Sequence, residues 1–343
     1  MKRIAIDLFS GCGGLSQGLK LAGFRVIHAA EILETARRTY KLNHPNSFVD
    51  SDVKQIEPED ILRRHSIQPG DLDLLAACPP CQGFSAIRTK NQKSADDTRN
   101  NLIFEVSRLA SQLLPKVILV ENVPQIIQDH RFSAFVHILR SMNYVINFGI
   151  VDAQNFSVPQ RRKRMILIAC RLGDIPLPKA KQQRITVREA IGQLPPADGD
   201  HHIQLHKMRQ RLSPTVQQRV NLIRKNRSEL PDNLVLKCHV RYSSGFKDVY
   251  GRMSWDDVAP TITRSSHNPS KGRFIHPSEN RGLTLFEALL LQGFPPNFQF
   301  PDNLGIGKIA SMIGEAVPPP MAQAQAEHIH KYLDFFEQEK ANG

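Results

Sequence analysis

The first half of the chain alternates short apolar runs with stretches of helical spacing. This alternation restricts the fold more than any other feature. Residues 3–9 (RIAIDLF) read as a strand, 14–22 as a helix, 25–31 (RVIHAAE) as a second strand and 33–42 as a second helix. Residues 48–50, 72–77, 117–121 (VILVE) and 165–170 (MILIAC) are further short strands, and 102–114 lies between two of them with helical spacing. Strands separated by helices predict an α/β fold, a Rossmann-like, doubly wound and mostly parallel sheet covered on both faces.

Segment 179–281 breaks the pattern. It is poor in apolar runs and rich in Arg, Lys, Ser, Asn and His, so it predicts a smaller, irregular second domain. Helical spacing returns over 283–292 and 320–336, and 318–320 (PPP) reads as a rigid turn. The predicted division is 1–178 with 283–343 in one domain and 179–282 in the other. At 343 residues and 41% hydrophobic composition, the chain can bury a core for both. It has no apolar run of membrane-spanning length and no signal-peptide pattern, so a soluble, cytoplasmic protein is expected. Five cysteines give no disulfide framework, and reduced thiols suit that compartment.

The net charge is +12. Residues 179–281 carry 19 basic and 9 acidic side chains, or +10; 1–178 carry 23 and 17, or +6; 282–343 carry 3 and 7, or −4. A cationic patch concentrated in one segment suits a polyanion, because Lys and Arg beside phosphates release counterions. Solubility alone does not need that concentration.

Several motifs sit at predicted strand ends. The stretch 7–14 (DLFSGCGG) follows the first strand and opens a helix, where glycines let a ligand approach the backbone. Glu31 ends the second strand, placed to accept hydrogen bonds from ribose hydroxyls, and Asp52 follows the third. Together these point to a nucleoside cofactor on an α/β sheet. The glycines, Gly11, Gly13 and Gly14, do not follow the G-x-G-x-x-G spacing, which disfavours a nicotinamide oxidoreductase.

In 78–85 (CPPCQGFS), Cys78 and Cys81 lack the second ligand pair that a zinc knuckle needs, since Cys12, Cys170 and Cys238 are isolated. Pro79, Pro80 and Gly83 make a poor helix start for a redox pair. A single thiolate at a strand's carboxyl edge is the third option, and it fits Cys81; a buried structural cysteine fits Cys78. Glu121 ends another buried strand, where a carboxylate is costly unless paired or functional. In 158–164 (VPQRRKR), Arg162 and Arg164 share one side if the strand has begun there, so both are expected in one cleft.

Taken in order, 7–14, 79–85 (PPCQGFS), 121–123 (ENV) and 160–164 (QRRKR) resemble the motifs of the bacterial-type DNA (cytosine-5) methyltransferases. The resemblance continues through 251–264 (GRMSWDDVAPTITR), 275–300 and 313–322 (IGEAVPPPMA), sparing most of 179–250. It implies that Cys81 adds to C6 of a cytosine flipped out of duplex DNA. Glu121 would bond N3 and the exocyclic amine, and Arg164, with Arg162, would hold O2. The implied methyl donor is S-adenosyl-L-methionine. By position Phe9 stacks on the adenine, Gly11, Gly13, Gly14 and Leu15 admit the methionine part, Glu31 takes the ribose and Asp52 the adenine amine. Val53, Leu102, Glu315 and Ala316 lie near the cofactor. Ile32 stands where relatives often carry an aromatic, and Glu315 where they usually have Asn. The stretch 85–98 is the family's lid over the flipped base, and 179–282 its target-recognition domain. Ser85, Arg88, Arg241, Lys247 and Arg264 are the candidate DNA contacts. No metal is implied. The expected setting is a monomer acting on double-stranded DNA, with a cognate restriction endonuclease acting separately. A tRNA cytosine-5 methyltransferase and a catalytically silent DNA-binding relative share most of these motifs. The long basic segment argues for DNA, and intact Cys81, Glu121 and Arg164 argue for turnover.

Overall fold

Seven strands form one sheet among the residues that the structure, a computed structural model, describes: 2–80, 101–180, 184–223, 234 and 249–342. They are β1 (Ile4–Leu8), β2 (Arg25–Ala30), β3 (Phe48–Asp50), β4 (Leu74–Ala77), β5 (Val117–Asn122), β6 (Val145–Asp152) and β7 (Lys163–Cys170). Their order is β3-β2-β1-β4-β5-β7-β6. The pairings among β1 to β5 are parallel, whereas β7 runs antiparallel to both β5 and β6. The sheet is therefore the expected mixed, mostly parallel one. The chain winds outward in both directions from between β1 and β4, which leaves a crevice at the carboxyl ends of those strands.

The central strands were legible because they are buried on both faces, as every residue of β4 and β5 is. β6 was not foreseen. It is an edge strand with Val145, Phe148 and Ile150 exposed, and Asn147 and Gly149 interrupt its apolar pattern. Five helices fill the connections: α1 (Gly14–Leu21), α2 (Glu34–Asn43), α3 (Pro58–His65), α4 (Ile103–Leu113) and α5 (His130–Ser141). α1 packs closely on the C-terminal helix Pro319–Asn342. A Cβ added at Gly18 would lie 2.5 Å from Ala322 Cβ and 2.6 Å from the Pro319 carbonyl oxygen. Arg3 ties β1 to the same helix, donating to Asp334 at 2.5 Å and Glu337 at 2.8 Å. The expected rigid turn at 318–320 is in fact a helix start. Proline is accepted in a first turn, where the backbone N–H has no intrahelical partner to lose.

The chain divides into two compact units: residues 1–152, 163–180 and 317–343 form the first, and 153–162 and 181–316 the second. The stretches 153–162 and 283–316, grouped by sequence with the sheet, lie in the second unit. Buried Gln160 anchors them there. Its amide nitrogen donates to Leu291 O at 2.9 Å, and its carbonyl accepts from Ile262 N at 2.9 Å. Within this unit the helix Leu285–Leu291 packs on Val187–Ile191 and on Ile306–Glu315. Irregular backbone is satisfied by buried arginine: Arg252 donates to the carbonyls of Val220, Ile223, His276 and Glu279.

Candidate active site

The loop after β1 makes three left-handed steps, at Phe9 (φ 60), Gly11 (φ 55) and Gly13 (φ 102), before α1 begins. Such a conformation at a non-glycine residue costs about 1–3 kcal/mol and is found where function requires it. A Cβ at Gly13 would lie 2.5 Å from His44 Nε2, so that glycine is needed for packing, whereas at Gly11 it would meet nothing within 4 Å. Gly11 therefore borders open space. Beneath the loop lies a buried polar chain. Ser16 Oγ donates to Asp7 Oδ2 (2.6 Å), Tyr40 Oη lies 2.7 Å from Ser16 Oγ, and His44 Nε2 is 3.2 Å from Gly13 O. Burial pushes the Asp7 carboxyl up to about 7 and the His44 imidazole down to about 4.

Glu31 follows β2 and faces this loop. Its Oε2 accepts from Gly11 N (2.9 Å) and its Oε1 from Leu33 N (2.7 Å). These bonds fix the carboxylate beside the loop. Beside it, Ile32 is 68% exposed, an apolar surface that water alone would leave unfavourably wet. Asp52, past β3, is half-buried and accepts from Lys54 N at 3.0 Å. Val53 is buried, and half-buried Leu102 packs against the core at the head of α4. Leu15 and Gly14 are buried in the first turn of α1.

At the next pair of strand ends, Glu121 is buried near the end of β5. Arg164, in β7, places Nε 2.9 Å from Glu121 Oε1, and Cys78 Sγ donates to Oε2 at 2.8 Å. Although Arg164 lies so near, Oε1 is buried and receives no hydrogen bond among the described residues. Asn122 Nδ2 donates to Pro79 O at 3.1 Å, which fixes the turn that leads to residue 81. Sequence reasoning treated Cys78 as a bystander and did not single out Asn122.

Arg162 is buried before β7 begins and donates to Ile262 O (3.0 Å) and Ala316 O (3.3 Å), so it braces loops of the second unit. Glu315 and Ala316 also belong to that unit, at the end of the helix Ile306–Glu315. Exposed Glu315 pairs with exposed Arg264 at 3.4 Å, a contact worth little in water. A cavity of about 190 Å³ in the same unit is lined by Arg161 and Arg273 over buried Met253 and Val258. Cys81, Ser85, Arg88, Arg241, Lys247 and the lid segment lie outside the described residues.

A doubly wound sheet with a glycine loop, a strand-end carboxylate beside it, and a second carboxylate–arginine pair at β5 defines a methyltransferase-type α/β fold. The model of the C-5 cytosine-specific DNA methylase family matches residues 4–331. The chain belongs to that family, and its enzyme class is DNA (cytosine-5-)-methyltransferase. It is 32% identical to the Type II methylase M.HgiDII of Herpetosiphon aurantiacus, covering 96% of this chain and 95% of that one. It is also 32% identical to the Type II methyltransferase M1.BsuMI of Bacillus subtilis, over 94% of this chain and 79% of that one. Among solved structures, a DNA modification methyltransferase encoded within an E. coli prophage superposes with a TM-score of 0.75 at 26% identity, covering 97% and 99% of the two chains. The DNMT2 of Spodoptera frugiperda shares the fold at 18% identity, with a TM-score of 0.64 over 96% and 99%.

Proposed function

We propose that the protein methylates C5 of a cytosine flipped out of double-stranded DNA, with S-adenosyl-L-methionine as cofactor and Cys81 as the attacking thiolate. The observation that carries this reading is buried Glu121, whose Oε2 takes the Cys78 thiol and whose Oε1 stands 2.9 Å from Arg164 Nε without a formed hydrogen bond. An ion-paired oxygen of this kind keeps acceptor capacity, and the exocyclic amine of cytosine is a donor for it. Glu121 accepts from that amine and favours protonation of the ring at N3 as Cys81 adds at C6; after the methyl group reaches C5, the C5 proton is lost, the Cys81–C6 bond breaks to return the thiolate, and N3 gives its proton back. Arg164, beside the carboxylate, faces the charge that develops on the ring. Cys81 takes its role from the motif 79–85. Arg162 supports the surrounding loops instead of touching the base.

The residues around the glycine loop fit the cofactor. Open space over Gly11, the Glu31 carboxylate fixed beside it and the exposed Ile32 surface match a backbone approach, a diol and a flat ring. Phe9, Gly11, Gly13, Glu31, Ile32, Asp52, Val53 and Leu102 would hold it, with Glu31 on the ribose and Asp52 on the adenine amine. When bound, the cofactor supplies an electrophilic methyl group to C5. The basic segment 179–282 serves as the DNA reader, and Arg161 and Arg273 offer a phosphate site. By the Type II names of its relatives, the enzyme belongs beside a restriction endonuclease that acts separately.

Bisulfite sequencing of DNA from cells expressing the wild type and Cys81→Ala tests this directly. Methylated cytosines in one sequence context, lost in the variant while purified variant still binds DNA, are expected. Methylation that persists in Cys81→Ala, or methyl incorporation into tRNA instead of DNA, overturns the reading.

A further inference from the structure

We infer that Cys78 is a positioning residue for the methyl-transfer reaction: its thiol holds Glu121 with Oε2 engaged and Oε1, beside Arg164, presented to the base. The inference rests on the role proposed for Glu121. Three observations converge on it.

The first is register. β4 pairs with β5 in parallel through Leu74↔Val117, Leu75↔Ile118, Ala76↔Leu119 and Ala77↔Val120. One step further along that ladder sets Cys78 beside Glu121, and two steps set Pro79 beside Asn122. The side chains use this alignment, through Cys78 Sγ to Glu121 Oε2 at 2.8 Å and Asn122 Nδ2 to Pro79 O at 3.1 Å. The turn that carries the nucleophile and the strand that carries the carboxylate are thus pinned together at two consecutive positions.

The second is the division of labour on the carboxylate. Oε2 receives the thiol hydrogen, while Oε1 is buried without a hydrogen bond and has Arg164 Nε 2.9 Å away. A carboxylate free to rotate would sample many orientations of its plane. Engaging one oxygen fixes that plane and so sets the direction of the other, and this pre-organisation is what places a reacting geometry within reach. The third is chemistry. A thiol is a weak donor and a compact one, so it can orient the carboxylate without the full positive charge of a second cation, which would compete with the base for it.

The test uses steady-state and single-turnover kinetics on duplex DNA. Cys78→Ala should lower kcat roughly three- to ten-fold, the loss that accompanies one weak hydrogen bond. KM for DNA and for S-adenosylmethionine should stay within about two-fold, because ground-state binding is untouched. Cys78→Ser, which keeps a donor, should recover most of the rate. In a Glu121→Gln background, Cys78→Ala should add little, since both changes remove one interaction. Where Cys78→Ala folds poorly, Cys78→Val keeps the volume and removes the donor. A wild-type kcat in the donor-free variants, or an undiminished loss in the Glu121→Gln background, overturns the inference and leaves the reaction standing. Absence of a covalent adduct between the wild-type enzyme and 5-fluorocytosine DNA overturns the reaction itself, and the inference with it.

Discussion

The Asp7–Ser16–Tyr40–His44 chain under the glycine loop sets a testable pH dependence of stability. Burial raises the Asp7 carboxyl from 3.8 to about 7 and lowers the His44 imidazole from 6.5 to about 4. The signs oppose. A raised carboxyl binds its proton more tightly in the fold, so its contribution to stability is largest at low pH and is lost as pH rises through about 7. A lowered imidazole stays neutral in the fold. Its contribution is in place above 6.5 and is lost as pH falls towards about 4. Buried His28 has the same sign as His44, its imidazole also being lowered by burial. Between pH 8 and pH 5, Asp7 contributes a gain of about 3 kcal/mol and His44 a loss of about 2 kcal/mol, from about 1.4 kcal/mol per pH unit over each window. His28 and buried His276, both lowered by burial to about 4, each add a loss of the same size, so wild-type stability should fall by about 3 kcal/mol over that range.

Asp7→Asn removes one side of this balance. An asparagine carbonyl can still accept the Ser16 hydrogen, and the amide never ionises. The variant should therefore lose about 3 kcal/mol more than the wild type between pH 8 and pH 5. The two curves should separate by about 3 kcal/mol across the range. Urea unfolding followed by far-UV circular dichroism at constant ionic strength measures the separation, which cancels every ionisable group common to both proteins. Parallel curves, offset equally at pH 8 and pH 5, would refute the argument, because they would mean that Asp7 is ionised in the fold throughout.

Two further outcomes follow from packing and charge. Gly18→Val drives side-chain atoms into Ala322 and the Pro319 carbonyl, and should cost about 1–3 kcal/mol in thermal or urea unfolding while weakening cofactor binding measured by calorimetry, since α1 carries the glycine loop. DNA affinity should fall steeply and linearly on a log–log plot against salt, and Arg273→Ala should reduce that slope by about one if its guanidinium meets a phosphate, as fluorescence-anisotropy titrations will report.

How much was legible follows from how burial writes itself into sequence. β1, β4 and β5 are covered on both faces and read as unbroken apolar runs. β6, half-exposed at the edge, carries Asn147 and Gly149 and reads as nothing in particular. Helical spacing over 283–292 showed correctly that a helix has a buried face, but spacing does not say which body covers it, and this helix lies in the second unit. Glu31 and Glu121 stand out in the sequence as polar residues that close apolar strands, and Arg164 as part of the charged run that opens β7. Arg162 precedes β7, where strand alternation does not apply, and donates to the carbonyls of Ile262 and Ala316. The Cys78–Glu121 bond joins residues 43 apart, and nothing in either segment announces the other.

That bond and the Arg164 contact both follow from strand direction, the first from a parallel pairing and the second from the reversed strand β7. In a parallel sheet, every strand presents its carboxyl end to the ligand edge and its amino end to the opposite one. Because β4 is parallel to β5, their carboxyl ends meet, and Cys78 arrives beside Glu121. β7 is antiparallel, with Asn122 opposite Met165 and Glu121 opposite Ile166, so its amino end meets the carboxyl end of β5 and Arg164 arrives there too. A parallel β7 would have put Arg164 a full strand away, about 20 Å at ~3.3 Å per residue, and would have left the buried carboxylate without its cation. The antiparallel excursion is thus more than a departure from the doubly wound plan: it lets an arginine that begins one strand and a carboxylate near the end of another act on the same atoms.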